Sequence, residues 1–481
     1  MLFNSFHFLF FFLIFWPIYL ALSGTSRRVF TLAASYYFYM CWSTKYIAVI
    51  WGITIIDYIS GIMIDRARSQ STKRLYMILS IGSNLGLLAV FKYFNFLSVS
   101  VSQALHPVGI NDPPFLLSVI LPIGLSFHTF QAMSYTLDVY KGKAPAEKSL
   151  LNYALYVAFF PQMVAGPIER PNHLLPQFRR AHRFDWANVR AGGRLTLWGL
   201  FKKMVIADGI APFVNMVYGH PDRFPGIALL LATCMFAIQI YCDFSGYSDM
   251  AIGLARVMGF ELTTNFRRPY FARSIGEFWH RWHISLSTWF RDYVYIPLGG
   301  NRVAIPRFYL NIMITFMLSG LWHGANWAFV IWGAFHGICL VLSHVTASLR
   351  ASIRRVAGVE KFPAALAFFQ VAITCSLVTL GWIFFRAASL SQVFYVISHL
   401  FPLKHLDSVL FLKAGMERAD LPFLLFFVAV MFLVEWLMEH PENCPRIWWH
   451  RGFRLAMYYA CAFTIIFYGT FGHVDFIYFQ F

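Results

Sequence analysis

Residues 313–327 read MITFMLSGLWHGANW and place His323 inside an almost unbroken apolar run. An ionisable side chain at membrane depth costs several kcal/mol unless it is paired or faces a cavity, so it marks function by default. A second unusual segment lies about forty residues upstream, where residues 278–287 read FWHRWHISLS and contain His280 and His283. Two histidine-bearing apolar segments predict a reaction centre inside a membrane protein.

The composition of the chain sets its structural class. The chain has 481 residues, of which 58% are hydrophobic and 13% are charged, whereas soluble domains average about 25% charged residues. The sequence therefore predicts an all-α polytopic integral membrane protein. A transmembrane β-barrel would need short segments of alternating hydrophobicity, and the sequence shows none. Because no internal repeat or soluble domain is evident, we expect residues 1–481 to form a single membrane domain.

Long apolar runs predict about 11–12 transmembrane helices, because crossing a hydrocarbon core of roughly 30 Å takes about 20 apolar residues. Two of these runs are short, and the one at 308–322 suits a helix that ends within the membrane near His323. The candidate spans are 2–22, 29–42, 46–64, 76–104, 115–137, 204–219, 226–257, 308–322, 325–347, 362–386, 421–439 and 453–471.

Two segments fit neither a clean span nor a clean loop. Residues 157–170 are apolar but are interrupted by Pro161 and Pro167, which suits a re-entrant or interfacial element. Residues 259–307 are rich in arginine and in aromatic side chains, which are favoured at the membrane interface. We expect this second segment to form amphipathic helices in the cytosolic leaflet.

The net charge of +17 does not indicate a nucleic-acid partner, because the basic residues form no compact domain. They lie in short loops between apolar runs, which is the positive-inside pattern of membrane proteins. Membrane lipid is therefore the expected environment, and the basic loops are placed in the cytosol. The basic clusters are 27–28, 66–74, 141–148, 170–194, 267–307, 350–361 and 446–454.

The cysteines and the N-terminus carry less information. Seven cysteines are scattered and no CxxC pair occurs, so neither a disulfide framework nor a zinc site is indicated. The first apolar run begins without a basic region before it, and Arg27-Arg28 follows it. That order predicts a retained first span that starts outside, rather than a cleaved signal peptide.

His323 has two interpretations from the residues alone. Gly320 and Gly324 form a GxxxG pair around it, which is typical of close helix packing. In a functional interpretation, His323 is a general base, because imidazole titrates near neutral pH and can take a hydroxyl proton. The glycines would then also let a substrate approach the backbone closely.

His283 likewise has a structural and a catalytic interpretation. Trp279, Trp282 and Trp289 could anchor an interfacial amphipathic helix that simply carries the histidine. The catalytic interpretation places His283 opposite His323, where it would orient the base or donate to a developing oxyanion. One HxxH pair, His280 and His283, is a weak metal signal.

Two carboxylates, Asp243 and Asp249, lie in an otherwise apolar span and are costly there unless they are paired. A structural pair with Arg267, Arg268 or Arg273 is the favoured interpretation. The surrounding sequence is not GxSxG, so a nucleophile elbow is not supported.

Three further polar residues lie in apolar surroundings, and a structural role is the simplest for each. His336 follows His323 by thirteen residues and either lines the same cavity or packs between helices. His128 is expected to pack, and Arg386 to extend from the end of a span towards the interface.

Taken together, these segments resemble the membrane-bound O-acyltransferase family, and most closely its bacterial branch of alginate O-acetylation and teichoic-acid D-alanylation membrane proteins. The resemblance covers nearly the whole chain, with its motifs in the same order. They lie at 35–37, 121–127, 165–167, 243–254, 277–289, 298–302, 320–326 and, in the manner of the alginate group, 478–481.

The resemblance implies roles for particular residues. The characteristic histidine of the family falls on His323, and its second polar position, which is Asn, Asp or His, falls on His283. Both are therefore expected to be catalytic. The family encloses a membrane tunnel with the reactive histidine near its middle. His280 lies where many relatives carry arginine, so the resemblance implies no role for His280.

The resemblance also implies substrates, partners and location. An acetyl or other acyl group would pass from acetyl-CoA, or from an acyl-carrier thioester, on the cytosolic side to a hydroxyl acceptor across a bacterial inner membrane. The thioester would enter beneath the basic stretch 267–302, whose Arg side chains suit phosphates. No bound cofactor and no metal are expected.

Alginate-type members of the family work with a periplasmic acetyltransferase resembling SGNH hydrolases, which completes polysaccharide acetylation. D-alanyl members instead take their donor from a phosphopantetheine carrier protein. The sequence favours the alginate-like partner and substrate, with the carrier-dependent reaction as the alternative.

Two unrelated function classes were weighed against the acyltransferase. A transporter could also place His, Asp and Arg at mid-membrane, but it should show paired halves with repeated broken helices. A di-metal membrane enzyme would need histidine clusters on several segments, and the sequence has a single HxxH.

Overall fold

The computed structural model describes residues 1–109, 113–401, 420–471 and 476–477. The described residues form helices, turns and extended connections, and no strand occurs among them. The predicted all-α class is therefore confirmed.

The helices follow one another along the chain with short connections between most of them. In chain order they are α1 (Phe6–Ala21), α2 (Gly24–Met40), α3 (Ile47–Arg66), α4 (Gln70–Leu88), α5 (Phe94–Leu105), α6 (Leu125–Tyr140), α7 (Leu150–Ala158), α8 (Phe160–Met163), α9 (Pro171–Phe178), α10 (Trp186–Leu200), α11 (Asp208–Gly219), α12 (Gly226–Val257), α13 (Ile275–Arg281), α14 (Ile284–Phe290), α15 (Ile305–His323), α16 (Trp327–Val345), α17 (Ala347–Val356), α18 (Pro363–Arg386), α19 (Leu390–His399), α20 (Asp420–Glu439) and α21 (Arg451–Tyr468).

Six helical stretches of the described chain are long and apolar enough to cross a membrane, and they confirm six predicted spans. The other predicted spans fall on helices that are shorter or less apolar, so the total number of spans stays a prediction. The six stretches are Ile47–Arg66, Gln70–Val108, Gly226–Val257, Trp327–Val345, Pro363–Arg386 and Pro422–Glu439.

The chain forms two compact units. Unit 1 comprises Met1–Thr196 and Ser248–Thr263, and unit 2 comprises Leu197–Tyr247 and Thr264–Phe481. The single membrane domain remains a prediction, and each unit is described by itself below.

A polar cluster lies among α3, α4 and α6 in unit 1. Asp57 on α3 is fully buried (0% exposed). It accepts hydrogen bonds from Ser80 and from the Asn84 amide, which lies 2.9 Å from one carboxylate oxygen. Ser80 also donates to Thr136 on α6 over 2.9 Å. These bonds satisfy a polar side chain that burial would otherwise make costly.

The predicted span 115–137 is wrong in its first half. The chain at 113–122 is not helical, and α6 begins at Leu125, after Gly124 with φ +74. Pro113, Pro114 and Pro122 explain the difference, because a proline removes a backbone donor and disfavours helical backbone at the residue before it.

The interrupted segment 157–170 is helical only in part. It runs through the end of α7, the four-residue α8 and a turn, and its residues are buried within unit 1. Gln131 and Gln162 donate side-chain hydrogen bonds to the Tyr156 carbonyl oxygen, at 2.5 and 2.7 Å. A carbonyl oxygen in the last turn of α7 is thus satisfied by two side chains of unit 1. The re-entrant interpretation stays a prediction.

Unit 2 has an aromatic core. Its largest fully buried side chains include Trp282, Trp332 and Trp382. The rings of Trp282 and Trp382 lie 4.9 Å apart, and those of Trp332 and Trp382 lie 5.9 Å apart. This core connects α13, α16 and α18 around the histidine residues described next.

Candidate active site

The backbone at the end of α15 places His323. His323 is the last residue of the helix, and the following Gly324 is extended (φ −158). Asn326 then caps α16, since its side-chain oxygen accepts from the Ala328 amide at 3.0 Å. The residues HGAN therefore form a helix end, a turn and a new helix start.

The glycine pair in this motif packs as the structural interpretation predicts. A Cβ at Gly320 would overlap the carbonyl oxygen of Phe329, and a Cβ at Gly324 would overlap the Phe329 ring. Glycine at both positions therefore lets α16 approach the end of α15 closely. Packing by the glycines and chemistry at His323 are compatible, because the close approach encloses the imidazole.

His323 lies in an aromatic enclosure and is 4% exposed. Its ring centroid is 5.0 Å from that of Trp322, 5.1 Å from Trp332 and 5.4 Å from Phe385. Aromatic walls exclude water, which strengthens electrostatic interactions inside such a site.

His283 faces the same enclosure. Its ring centroid lies 6.3 Å from that of His323, and the His283 side chain is almost fully buried. Phe244 lies 4.6 Å from His283 in an edge-to-face arrangement, and Trp322 lies 6.1 Å away. The structure therefore brings the two predicted histidines together in unit 2.

The backbone of His283 is unusual. His283 precedes α14 with φ +43 and ψ +54, a left-handed conformation that costs a non-glycine residue roughly 1–2 kcal/mol. Histidine is among the residue types enriched there, with Asn and Asp.

The separation of the histidines suits shared action on one reacting group. A general base must lie about 2.6–3.2 Å from the proton that it abstracts. A group placed between two rings whose centroids are 6.3 Å apart is within such reach of both. The arrangement can therefore supply a base and a second donor to one centre.

The predicted partners of Asp243 are wrong. Asp243 pairs with Lys203, whose Nζ lies 2.5 Å from its Oδ1 and 2.8 Å from Oδ1 of Asp208. Its other oxygen accepts from the Ile477 amide at 2.8 Å. Lys203 is the buried cation that the sequence reasoning missed, although a lysine beside an apolar run was a visible signal.

The arginines near the site are engaged elsewhere. Arg268 lies 2.6 Å and Arg281 2.9 Å from the carboxylate oxygens of Glu439. Arg281 also pairs with Glu277 at 2.6 Å. Two cations of the predicted donor-binding stretch thus have carboxylate partners within unit 2.

The other histidines near the site behave differently from the central pair. His336 is fully buried, with the rings of Trp279 and Trp332 each 5.0 Å away. Trp332 therefore contacts both His336 and His323, and packing is the role that these contacts support for His336. His280 is exposed and hydrogen-bonds to the Gly276 carbonyl oxygen at 2.6 Å.

The two remaining polar residues, His128 and Arg386, also have partners within their own units. His128 in unit 1 is buried beside Tyr39, with ring centroids 6.4 Å apart. Arg386 ends α18, as predicted. Its guanidinium donates to Asn215 at 2.8 Å and lies 5.4 Å from the Tyr218 ring centroid.

Within the described ranges, no group of three or more His, Cys, Asp or Glu side chains could hold a metal ion. The seven cysteines are free thiols. The motif at 478–481 lies outside the described residues.

The membrane-bound O-acyltransferase family model matches residues 143–385, a range that contains both His283 and His323. The chain belongs to this family. It is a multi-pass membrane protein and an O-acyltransferase.

Curated relatives of this chain fall into three groups by name. It is 41% identical over 397 residues to the probable alginate O-acetylase of Pseudomonas putida, covering 81% of this chain and 78% of the relative. It is 33% identical over 407 residues to the peptidoglycan O-acetyltransferase of Helicobacter pylori, covering 77% of this chain and 73% of the relative. A more distant relative is the teichoic acid D-alanyltransferase of Bacillus subtilis. It is 27% identical over 246 residues, which cover 49% of this chain and 61% of the relative.

Proposed function

We propose that this O-acyltransferase moves an acetyl group from a cytosolic thioester, across the membrane, to a hydroxyl acceptor for cell-surface or exopolysaccharide O-acetylation. The alginate and peptidoglycan relatives both have acetyl transfer in their names. They share the transferred group and differ in the polysaccharide. An alginate-like acceptor is proposed because the alginate relative has the higher identity of the two.

The observation that carries this proposal is the buried pair of His323 and His283, with ring centroids 6.3 Å apart inside aromatic walls. Imidazole can exchange a proton near neutral pH, which acyl transfer to a hydroxyl requires. A second donor beside the base matches the need to stabilise an oxyanion.

In the proposed reaction, His323 accepts the proton of the acceptor hydroxyl. The resulting oxygen nucleophile attacks the thioester carbonyl and forms a tetrahedral oxyanion, which His283 stabilises or positions. Collapse of this intermediate breaks the carbon–sulfur bond and forms the oxygen ester. The leaving thiolate takes the proton back from His323, so the enzyme returns to its starting state.

The aromatic enclosure serves this reaction by excluding water. Trp322, Trp332 and Phe385 surround His323. A water molecule in the same place could attack the thioester and waste the donor, so a dry site favours transfer over hydrolysis.

The proposal extends to the donor, the partner and the location. Acetyl-CoA is the proposed donor, with no cofactor held between turnovers. A periplasmic acetyltransferase resembling SGNH hydrolases would receive the group and complete polysaccharide acetylation. The bacterial sources of the relatives support the inner membrane as the location.

The alternative is D-alanyl or other acyl transfer from a phosphopantetheine carrier protein to an extracytoplasmic acceptor. The teichoic acid D-alanyltransferase relative is the observation that favours it. Its similarity is lower and covers less of the chain than that of the acetyl-named relatives, so acetyl transfer is preferred.

The test is acetyl transfer or thioester hydrolysis in proteoliposomes with radiolabelled acetyl-CoA outside. We expect turnover by the wild type and a loss of about 10²–10⁴-fold in His323→Ala, which is the range for removing a general base. His280→Ala is the matched control, because its exposed side chain bonds only locally to Gly276, and its turnover should remain at the wild-type level.

Each other outcome corrects a different part of the proposal. Equal turnover by wild type and His323→Ala would remove His323 from the base role. If turnover requires an acylated phosphopantetheine carrier instead of acetyl-CoA, the carrier-dependent alternative replaces the alginate-like substrate.

A further inference from the structure

The turn that carries His283 is held by a second segment of unit 2. Among the described residues, only Arg268 and His283 combine a positive φ with a side chain. They lie on two segments, 265–268 and 281–285, that exchange backbone hydrogen bonds. The Arg267 amide donates to the Arg281 carbonyl at 2.9 Å, and the Ile284 amide donates to the Asn265 carbonyl at 2.9 Å.

Asn265 provides most of this contact. It is fully buried, and its backbone carbonyl takes the first amide of α14, that of Ile284. Its side-chain oxygen accepts from the Ser285 amide at 3.3 Å and from the Ser285 hydroxyl at 3.0 Å. The two residues that follow His283 are therefore both bound to Asn265, a residue distant in the sequence.

This arrangement replaces an ordinary helix cap. A residue at the N-cap position usually has an extended backbone and caps the first amides with its own side chain. His283 occupies that position in a left-handed conformation and makes no side-chain cap hydrogen bond. Asn265 supplies the cap from another segment, and the His283 imidazole faces Phe244 and His323 instead.

We propose that Asn265 is a positioning residue that keeps His283 directed at His323. The inference rests on the proposed catalytic role of His283. A strained backbone persists only where its surroundings determine it. Without the Asn265 side chain, two buried donors of Ser285 lose their acceptor, and the turn relaxes towards the extended cap geometry. The imidazole then leaves the position opposite His323.

The test compares two substitutions in the acetyl-transfer assay. For Asn265→Ala we expect kcat to fall about 10–10²-fold, because a misplacement near 1 Å can cost that much in rate. If Asn265 acts only through the position of His283, the KM for the acetyl donor should change less than about threefold. Asn265→Asp keeps an acceptor oxygen in the same place and should restore kcat to within about threefold of wild type.

Asn84→Ala is the matched control. Asn84 is also a buried asparagine with hydrogen bonds, but it belongs to the Asp57 cluster of unit 1. We expect Asn84→Ala to lower the unfolding temperature without changing kcat per folded molecule. If Asn84→Ala and Asn265→Ala lower kcat equally, or if Asn265→Asp is as impaired as Asn265→Ala, Asn265 is merely structural and the inference is overturned.

Ser285→Ala covers the case in which Asn265→Ala does not fold. It removes the hydroxyl bond to Asn265 and should lower kcat about threefold with unchanged KM. If kcat is unchanged in Ser285→Ala, or in a folded Asn265→Ala, while His283→Ala is impaired, the role of Asn265 alone is overturned. Full activity of His283→Ala would instead remove the proposed function of His283 on which the inference depends.

Discussion

One buried polar site in each unit shows how differently such side chains can be surrounded. In unit 1, Asp57 is bound by hydroxyl and amide donors from the neighbouring helix α4. In unit 2, His323 and His283 are enclosed by aromatic rings. Both sites bury side chains that are costly inside a membrane. In the first, the hydrogen bonds to Asp57 and the bond from Ser80 to Thr136 fix three helices together.

The contrast distinguishes a structural polar cluster from the proposed reaction centre. Hydrogen bonds that saturate a carboxylate lower its energy and leave it little to offer a substrate. Aromatic walls exclude water and leave imidazole chemistry to the group that enters. The surroundings of a buried polar residue are therefore more informative about function than its burial.

The largest effect that would sharpen this comparison is expected at His283. Both His283→Ala and His283→Asn remove the imidazole, and we expect kcat to fall about 10²–10³-fold in each. The free energy of unfolding should be about 1 kcal/mol higher for the asparagine variant than for the alanine variant, because Asn tolerates the left-handed backbone better. Turnover and thermal unfolding in detergent measure the two effects separately.

Retention of activity in His283→Asn but not in His283→Ala would show that backbone geometry matters more than the imidazole. Equal stability of the two variants would argue against strain at φ +43. The comparison needs no other control, because the two variants differ only in the side chain that occupies one turn.

The sequence predicted the outline of this molecule well because helices and spans are local features. Six long apolar stretches and the all-α class follow from composition and run length. The two histidines stood out because ionisable residues are rare in such runs. Their approach to one another needed the tertiary fold, and the family resemblance supplied that expectation.

Two of the misses concern contacts between residues distant in the chain. Asp243 was expected to pair with a nearby arginine, whereas the fold brings it to Lys203. Asn265 had no sequence signal, because its importance comes from amides in a segment 20 residues away. The left-handed backbone at His283 could not be predicted from the pattern of residue types either.

A smaller effect is expected at the polar cluster of unit 1. Asp57→Ala removes the shared acceptor of Ser80 and Asn84 and should lower the free energy of unfolding by about 1–2 kcal/mol. The kcat per folded molecule should not change. Thr54→Ala is the matched control. Thr54 is buried on the same helix, and its hydroxyl donates to the Ile50 carbonyl oxygen one turn earlier. A loss of turnover in Asp57→Ala beyond the loss of folded protein would break the distinction between the two sites.

The smallest effect concerns a third kind of polar site, at the edge of unit 1. His173 on α9 hydrogen-bonds to the buried Glu169 carboxylate at 2.7 Å, and this bond raises the pKa of His173 above its ordinary value of 6.5. A raised folded-state pKa contributes stability that is complete below about pH 6.5 and is lost as the pH rises through the folded-state pKa. We therefore expect the unfolding temperature of the wild type to fall slightly between pH 6 and pH 8, and this fall to be smaller in His173→Gln.

His106→Gln is the control, at an exposed position of the same unit, and it should keep the pH dependence of the wild type. An unchanged pH dependence in His173→Gln would mean that solvent screens the pair of His173 and Glu169, as it often screens surface ion pairs. Burial of only one partner would then not be enough to make a polar contact stabilising.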